Sequence, residues 1–512
     1  TLRDLDEGRV AVEAGGRGEI PVFSPFNGKR VGTVPEGQPE DVERAVARSR
    51  EAQADWQALS VATRSRLLAR FHDLLIDRAE EAMDLAQLEA GKARSSAFEE
   101  VFDVVATTRY YINVAPRLLR ARRRSVSFPI LTSASELRHP HGIVGFITPW
   151  NFPFNLGIGD AIPALLAGNG VVIKPDEKTP FTTLYSVDLL AEAGLPEGLV
   201  QVVTGEGEVV GTALVDEVDY VMFTGSTAVG RSVAERAGRR LIGASMELGG
   251  KNAAIVLRDA DLSVAVPGVA RSAFANGGQI CVGMERIYVE EPLLDAFTRR
   301  FVDYVDGLRL SAAYDFTSDL SSMITTGHAE AVHAHVEDAV SKGASILTGG
   351  KPRPDIGPAF YEPTVLVGVD ESMELCRTET FGPVVSIYGV ASADEAVNAA
   401  NDSEFGLNHS VWTRDARRGR ALAARLQAGT VGVNDGYAAT WSAYDAPMGG
   451  VKGSGLSRRH GTVGLLKYTE SQTIATQRLL PAFAPPPGMS FDRYIELVRP
   501  LLKLARHLPF NK

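Results

Sequence analysis

Two glycines stand just ahead of a thiol in the run Asn276-Gly277-Gly278-Gln279-Ile280-Cys281. Glycine keeps side chains out of the approach and lets the backbone present the sulfur, so this loop could carry a nucleophile. The competing reading is a small buried hydrophobe, which many free cysteines are. A single acid, Glu247, lies between Met246 and Leu248, just before Gly249 and Gly250. A carboxyl in apolar surroundings has its pKa raised toward the range of a general base; otherwise it caps a turn or pairs with Lys251. In Thr148-Pro149-Trp150-Asn151-Phe152-Pro153 an asparagine is held between two prolines. That suits a fixed oxyanion donor or, more plainly, an Asx turn.

Two other turns could receive a nucleotide. Residues 220–226 read as a strand running into Gly225-Ser226, with a helix beginning at Thr227. Free N–H groups at such a helix start suit a pyrophosphate, although the run lacks the Gly-x-Gly-x-x-Gly pattern and could be a plain cap. Lys174 and Glu177 follow another strand and offer a donor and an acceptor to a ribose; a surface turn is the alternative.

Strands and helices alternate around these residues. Strands are expected at 142–148, 170–174, 200–204 and 220–223, with helices at 155–167, 179–193, 207–215 and 227–237. Such βαβ order builds a parallel sheet that opens to ligands at its carboxyl edge. A second series starts at 253–257 and includes 287–289, the helix 292–308, 345–348, 383–389, the helix 393–401, 409–412 and 430–433. The junction falls near 247–252. Ahead of both, the pattern predicts strands at 20–23 and 30–34 and helices over 39–58, 61–90 and 95–119. Residues 125–138 and 468–477 alternate like exposed β-ribbons. Five arginines in 117–124 read as a solvated turn in preference to a phosphate site.

The chain's 512 residues exceed what one core holds, so two or three domains are expected. A net charge of -10, with no basic run interleaved with aromatics, argues against nucleic acid. Two cysteines, Cys281 and Cys376, fit a reducing compartment and exclude a disulfide framework. No cluster has metal-ligand spacing; His328, His333 and His335 lie on a polar helical stretch and are read as solvated. Without a signal-peptide pattern or a long apolar run, cytoplasm is the expectation.

Taken together, the segments 148–153, 223–230, 246–252 and 276–281 resemble the aldehyde dehydrogenase superfamily, in this order along the chain. Glu379-Thr380-Phe381-Gly382-Pro383, residues 447–455 and the Lys174 turn add to the resemblance, which spans residues 20–480. It implies an α/β fold with a Rossmann-type nucleotide-binding domain (1–124 and 142–248), an α/β catalytic domain (249–467) and a β-ribbon oligomerisation arm (125–141 and 468–480). It also implies a homodimer or homotetramer. Cys281 would be the nucleophile, Asn151 with the Cys281 N–H the oxyanion site, and Glu247 the base that activates water. Lys174 and Glu177 would hold the adenine-side ribose, Gly225 and Ser226 the pyrophosphate region, and Glu379, beside Phe381, the nicotinamide ribose. Thr148, Pro149, Trp150, Asn151 and Leu248 would line the cofactor cleft. NAD is expected, with NADP the alternative, because a carboxylate at Glu177 accepts from a ribose 2′-OH and repels a 2′-phosphate.

Residues 378–388, 432–455 and 458–477 resemble most the actinobacterial branch labelled succinate-semialdehyde dehydrogenase. The well-studied semialdehyde enzymes bind the substrate carboxylate with arginines six residues before the Cys and eight after the Asn. Here those positions are Ala275 and Gly159. Tyr437, Trp441 and Tyr444 instead favour an apolar or aromatic aldehyde, if they are not structural packing. A CoA-acylating relative would lack Glu247, and a non-catalytic one would have lost Cys281, Asn151 or Glu247.

Beyond a proline-rich linker at 481–487, residues 491–508 place Tyr494, Ile495, Val498, Leu501, Leu502 and Leu508 near helical spacing. Arg493, Arg499, Lys503, Arg506 and His507 give the segment a basic complement. Packing on its own subunit or a neighbour is the plainer expectation; contact with an anionic membrane surface is the other.

Overall fold

The computed structural model describes residues 10–12, 18–127, 131–478 and 483–506. Two sheets carry the architecture. The first has six strands, ordered Gly455–Leu456, Gly243–Glu247, Tyr220–Thr224, Ile143–Ile147, Gly170–Lys174 and Val200–Val202. All are parallel except Gly455–Leu456, which runs antiparallel to Gly243–Glu247. Ile147 lies opposite both Lys174 and Phe223. That register brings the carboxyl ends of three strands, and so Thr148, Lys174 and Gly225, to one edge of the sheet.

The second sheet has seven strands, ordered Ser345–Thr348, Thr364–Val367, Val384–Val390, Met284–Glu290, Asn252–Val256, Asn408–Trp412 and Thr430–Val433. Only Ser345–Thr348 is antiparallel to its neighbour. Residues 248–251 alone separate the end of Gly243–Glu247 in one sheet from the start of Asn252–Val256 in the other. A third sheet, Thr469–Gln477, Thr132–Pro140 and Arg122–Arg124, is an antiparallel ribbon.

Helices follow the apolar period. In Pro39–Ala58 the buried side chains include Val42, Ala45, Val46, Ser49, Gln53 and Trp56, one stripe of a helix. Proline opens that helix, where its missing N–H costs nothing. The Trp56 indole N–H donates to the Leu165 carbonyl at 2.8 Å and ties the stripe to helix Ala161–Ala167.

Several elements differ from expectation. The helix expected over 61–90 is two, Val61–Asp77 and Ala79–Ala90, broken at Arg78, whose φ of -113° and ψ of 25° leave the helical region. No glycine or proline signals that break. The strands Gly243–Glu247 and Thr364–Val367 were not expected. π-helical turns at Asn155–Gly159 and Gly207–Gly211 open two helices expected to be regular. The arginines at 122–124 form a ribbon strand instead of a turn, with Arg124 paired to Glu136. The tail helix spans Phe491–Ala505 with Pro500 inside it. Along it Ile495, Leu497, Leu501, Leu502 and Leu504 stay 46–62 % exposed. Residues 128–130, 479–482 and the His507–Leu508 end of the expected helix lie outside the described residues.

Candidate active site

The thiol loop is held by its carbonyls. Helix Leu262–Phe274 runs into a turn in which Asn276, Gly277 and Gly278 have φ of 53°, 64° and 73°. At Gly278 a Cβ would sit 2.0 Å from the Gly382 carbonyl oxygen, so no other residue fits. Beyond it, the buried Asn252 amide donates to the carbonyls of Cys281 and Gly283, both at 2.8 Å. The Asn408 amide donates to Val282 at 3.0 Å and Gly436 at 2.9 Å. The Cys281 side chain remains half-buried at the loop's end. Burial pushes its thiol up to about 12; Arg459 opposes the shift, and Glu379 and Glu247 add to it. The sulfur therefore holds its proton at neutral pH and needs an acceptor to react.

Asn151 is buried beside this loop, and its amide donates to the Gln279 carbonyl at 3.1 Å. Its own carbonyl accepts from Lys92 Nζ at 2.8 Å and from the Asn276 amide at 3.1 Å. Lys92 also pairs with Glu100 at 2.6 Å, both side chains being fully buried. The second Glu100 oxygen accepts the N–H groups of Phe154 and Asn155. A buried ion pair persists only when its remaining hydrogen-bonding sites are filled, and here they fix the backbone at Asn151 and just after it, at Phe154 and Asn155.

Glu247 ends its strand, 5 % exposed, and its Oε1 has no hydrogen-bond partner among the described residues. A Cβ on Gly449 would stand 2.8 Å from that oxygen. Burial raises the carboxyl to about 7, with Arg459 and Lys467 opposing. Arg459 in turn pairs with Asp160 at 2.7 Å. A carboxyl near 7 is divided between its two protonation states at neutral pH, which is what a general base requires. The alternative pairing with Lys251 is not made, because Lys251 pairs with Glu285.

At the first sheet's carboxyl edge lies a cleft of about 990 Å³, walled by Thr148, Pro149, Trp150, Lys174, Glu177 and the Gly225–Ser226 turn. Ser226 Oγ accepts from Val229 N, so the cap and the open helix start occur together. Thr148 Oγ1 is buried without a partner among the described residues. At Gly207, also on this wall, a Cβ would meet nothing nearer than Lys174 Nζ at 3.8 Å. The Lys174 ammonium pairs with Glu177. Burial raises the Glu177 carboxyl, but that ammonium outweighs it and holds the group below the usual carboxylate range. An open glycine-sided cleft with donors, an acceptor and an orphaned hydroxyl fits a dinucleotide.

Leu248 lies off this wall and packs on Gly230, where a Cβ would meet its Cδ2 at 2.3 Å. Glu379 accepts from Gly250 N at 2.7 Å, and burial with the nearby Glu285 raises it to about 8. Phe381 stands edge-on to Trp150 at 5.5 Å. His328 corrects the reading of that helix as solvated. It is half-buried, packs edge-on to Trp150 at 5.4 Å and bonds the Phe381 carbonyl at 2.9 Å. His333 and His335 are half-buried too and reach the hydroxyls of Tyr361 and Thr380. Among the described residues no group of His, Cys, Asp and Glu could hold a metal.

Cys281 also lines a cavity of about 380 Å³ with Phe98, Phe102, Phe152, Tyr437, Trp441 and Tyr444. The Tyr437 hydroxyl donates to Glu99 at 2.9 Å and the Tyr444 hydroxyl to Asp103 at 2.6 Å, so the rings rather than the hydroxyls are left for a ligand. Among the described residues, one cation stands on the wall, Arg271, and it pairs with Glu99. At Gly159 a Cβ would already be 2.6 Å from Asn155 Oδ1. Sequence reasoning missed Lys92, Glu100, Asn252, Asn408 and Arg459, because each acts through partners remote in the chain.

The sequence profile described as the Aldehyde dehydrogenase family matches residues 12–474. A Mycolicibacterium smegmatis protein, provisionally named succinate-semialdehyde dehydrogenase (NADP(+)), is 51% identical over 501 residues, 98% of this chain and 97% of that one. The 4,4'-diapolycopene aldehyde oxidase of Methylomonas sp is 36% identical over 468 residues, 90% of this chain and 86% of that one. The crystal structure of an NAD-dependent aldehyde dehydrogenase from Sinorhizobium meliloti superposes with a TM-score of 0.89 at 35% identity, covering 94% of this chain and 97% of that one. With its two sheets, its thiol loop and these likenesses, the chain belongs to the aldehyde dehydrogenase family, enzymes that oxidise an aldehyde with a nicotinamide nucleotide.

Proposed function

We propose that the substrate is an apolar aldehyde, oxidised to its carboxylic acid. The observation that carries this is the cavity at Cys281. Aromatic and aliphatic side chains wall it, its hydroxyls are engaged, and its cation is already paired with Glu99. A carboxylate on the substrate would be buried without a partner and beside Glu99 and Asp103, which is costly. The name of the Methylomonas relative, an aldehyde oxidase, agrees with an apolar substrate. Succinate semialdehyde is the second reading, favoured by the name of the M. smegmatis relative. Comparing kcat/KM for succinate semialdehyde, medium-chain and aromatic aldehydes decides between them. A clear preference for succinate semialdehyde would overturn the apolar reading.

In this mechanism the Cys281 sulfur bonds to the aldehyde carbon as the carbonyl π bond opens, and the thiol proton passes to Glu247. The free N–H of the Asn151 amide and the Cys281 N–H hold the oxygen. The bound nicotinamide supplies the hydride acceptor. Glu247 releases that proton to solvent, and its carboxylate then takes a proton from the water that attacks the resulting acyl-Cys281 thioester. The acid leaves and the sulfur regains a proton. Lys174 and Glu177 would hold the adenine-side ribose, the Gly225–Ser226 turn the pyrophosphate, and Glu379 the nicotinamide ribose. An ionised Glu177 favours NAD over NADP, although the M. smegmatis relative is named for NADP(+).

The same proposal assigns cofactor binding to residues 1–124 and 142–248, catalysis to 249–467 and homo-oligomer contact to the ribbon of 125–141 and 468–480. It places the enzyme in the cytoplasm; no helix among the described residues is long and apolar enough to cross a membrane. The tail helix, with exposed leucines beside Arg499 and Lys503, is assigned packing on a neighbouring subunit first, with a peripheral contact on an anionic membrane surface as the second reading. Failure of the full-length protein to co-sediment with anionic vesicles at low salt would remove that contact.

A further inference from the structure

Phe98 and Phe102 are large apolar side chains left in the open. They are four residues apart on helix Arg94–Leu118 and so share one face. Their rings stack at 5.9 Å with an interplanar angle of 25°, yet they are 48 % and 54 % exposed. Both line the cavity that contains Cys281, whose other rings, Phe152, Tyr437, Trp441 and Tyr444, lie deeper. Glu99, between them in sequence, is turned to Arg271 and Tyr437, so its charge is occupied. An exposed aromatic pair continuous with a buried apolar cavity marks a ligand groove more than a surface accident.

We propose that Phe98 and Phe102 form an outer subsite that grips the distal part of a linear alkyl aldehyde, making this pair the determinant of chain length. The proposal rests on the apolar-substrate reading. The buried part of the cavity takes the carbons nearest the aldehyde, and the stacked rings cover the methylenes that emerge. Each buried methylene is worth roughly 0.8 kcal/mol, about a three- to fourfold gain in kcat/KM.

The test is a series of butanal, octanal and dodecanal with NAD, run on the wild type, Phe98→Ala/Phe102→Ala and Phe98→Leu/Phe102→Leu. The wild type is expected to gain steadily with length. The alanine variant is expected to lose at least about tenfold in the dodecanal-to-butanal ratio of kcat/KM, chiefly through KM. The leucine variant should recover much of that ratio. An unchanged ratio in the alanine variant overturns the subsite while leaving the apolar reading intact. A wild type with no gain along the series overturns both. An equal loss at every length, with a changed oligomer size on gel filtration, also overturns the subsite and assigns the pair to a subunit contact.

Discussion

Lys92 Nζ donates to the carbonyl oxygen of Asn151 at 2.8 Å, from inside a fully buried ion pair with Glu100. The residue proposed to hold the oxyanion is thus fixed through its backbone by a charge pair some fifty residues away. Its side-chain amide is meanwhile tied to the loop of Cys281 through the Gln279 carbonyl. The proposed oxyanion donor and the proposed nucleophile are thus positioned as one unit.

Removing half of that pair separates positioning from folding. Lys92→Met leaves Glu100 buried and uncompensated, which should cost about 3–5 kcal/mol in denaturant unfolding. Lys92→Met/Glu100→Gln should regain much of that stability but not the rate, since Asn151 has still lost its anchor. A kcat deficit of roughly a hundredfold is expected in the double variant, the scale of a misplaced oxyanion donor. Wild-type kcat in that variant would contradict the positioning role.

Glu247 should give a pH signature in both activity and stability. Because the carboxyl lies at about 7, hydrolysis of the acyl-enzyme should rise through that pH, and Glu247→Gln should retain a burst of NADH but lose steady turnover. Below the unfolded value near about 4.3 the group is protonated in both states. As pH rises from there through 7 the unfolded chain ionises first, so this group's contribution to stability is progressively lost, about 4 kcal/mol by pH 8. Glu247→Gln should therefore lose less stability than wild type between pH 5 and pH 8. Parallel curves for the two proteins would count against a buried, neutral Glu247.

In the proposed ribose site, cofactor choice would turn on one carboxylate. With Glu177 ionised against Lys174, wild type should show the higher kcat/KM with NAD. Glu177→Ser removes the repulsion and frees Lys174 for a 2′-phosphate, so the NADP-to-NAD ratio should rise about tenfold, the scale of one charge contact. A wild type that prefers NADP, with a ratio that Glu177→Ser leaves alone, would overturn this account of the ribose site.

Much of the candidate site's layout was legible because its sequence signals are local. The glycines before Cys281 are there because Gly278 has no room for a Cβ, and the prolines around Asn151 stiffen a single turn. Sheet-edge positions such as Lys174 and Gly225 follow from the alternation of strands and helices. What holds these groups was not legible. Lys92 follows a left-handed Gly91 at a helix end like many surface lysines, and nothing nearby names Glu100 or Asn151 as its partners. Asn252 and Asn408 clamp the thiol loop across strands 156 residues apart. His328 sits on a polar helix, and only the fold brings Trp150 and the Phe381 carbonyl to it. The break at Arg78 is likewise tertiary, since each flanking segment keeps its own apolar stripe.

The central claim is that the acyl group passes through Cys281 and is released by Glu247. It is tested most directly by mixing Glu247→Gln with NAD and a medium-chain aldehyde, quenching in acid and mapping the acyl mass to a peptide. The acyl adduct is expected on the Cys281 peptide, near one per active site, with the Cys376 peptide unmodified. An adduct on Cys376, or a variant that turns over at the wild-type rate without accumulating any acyl-enzyme, would contradict it.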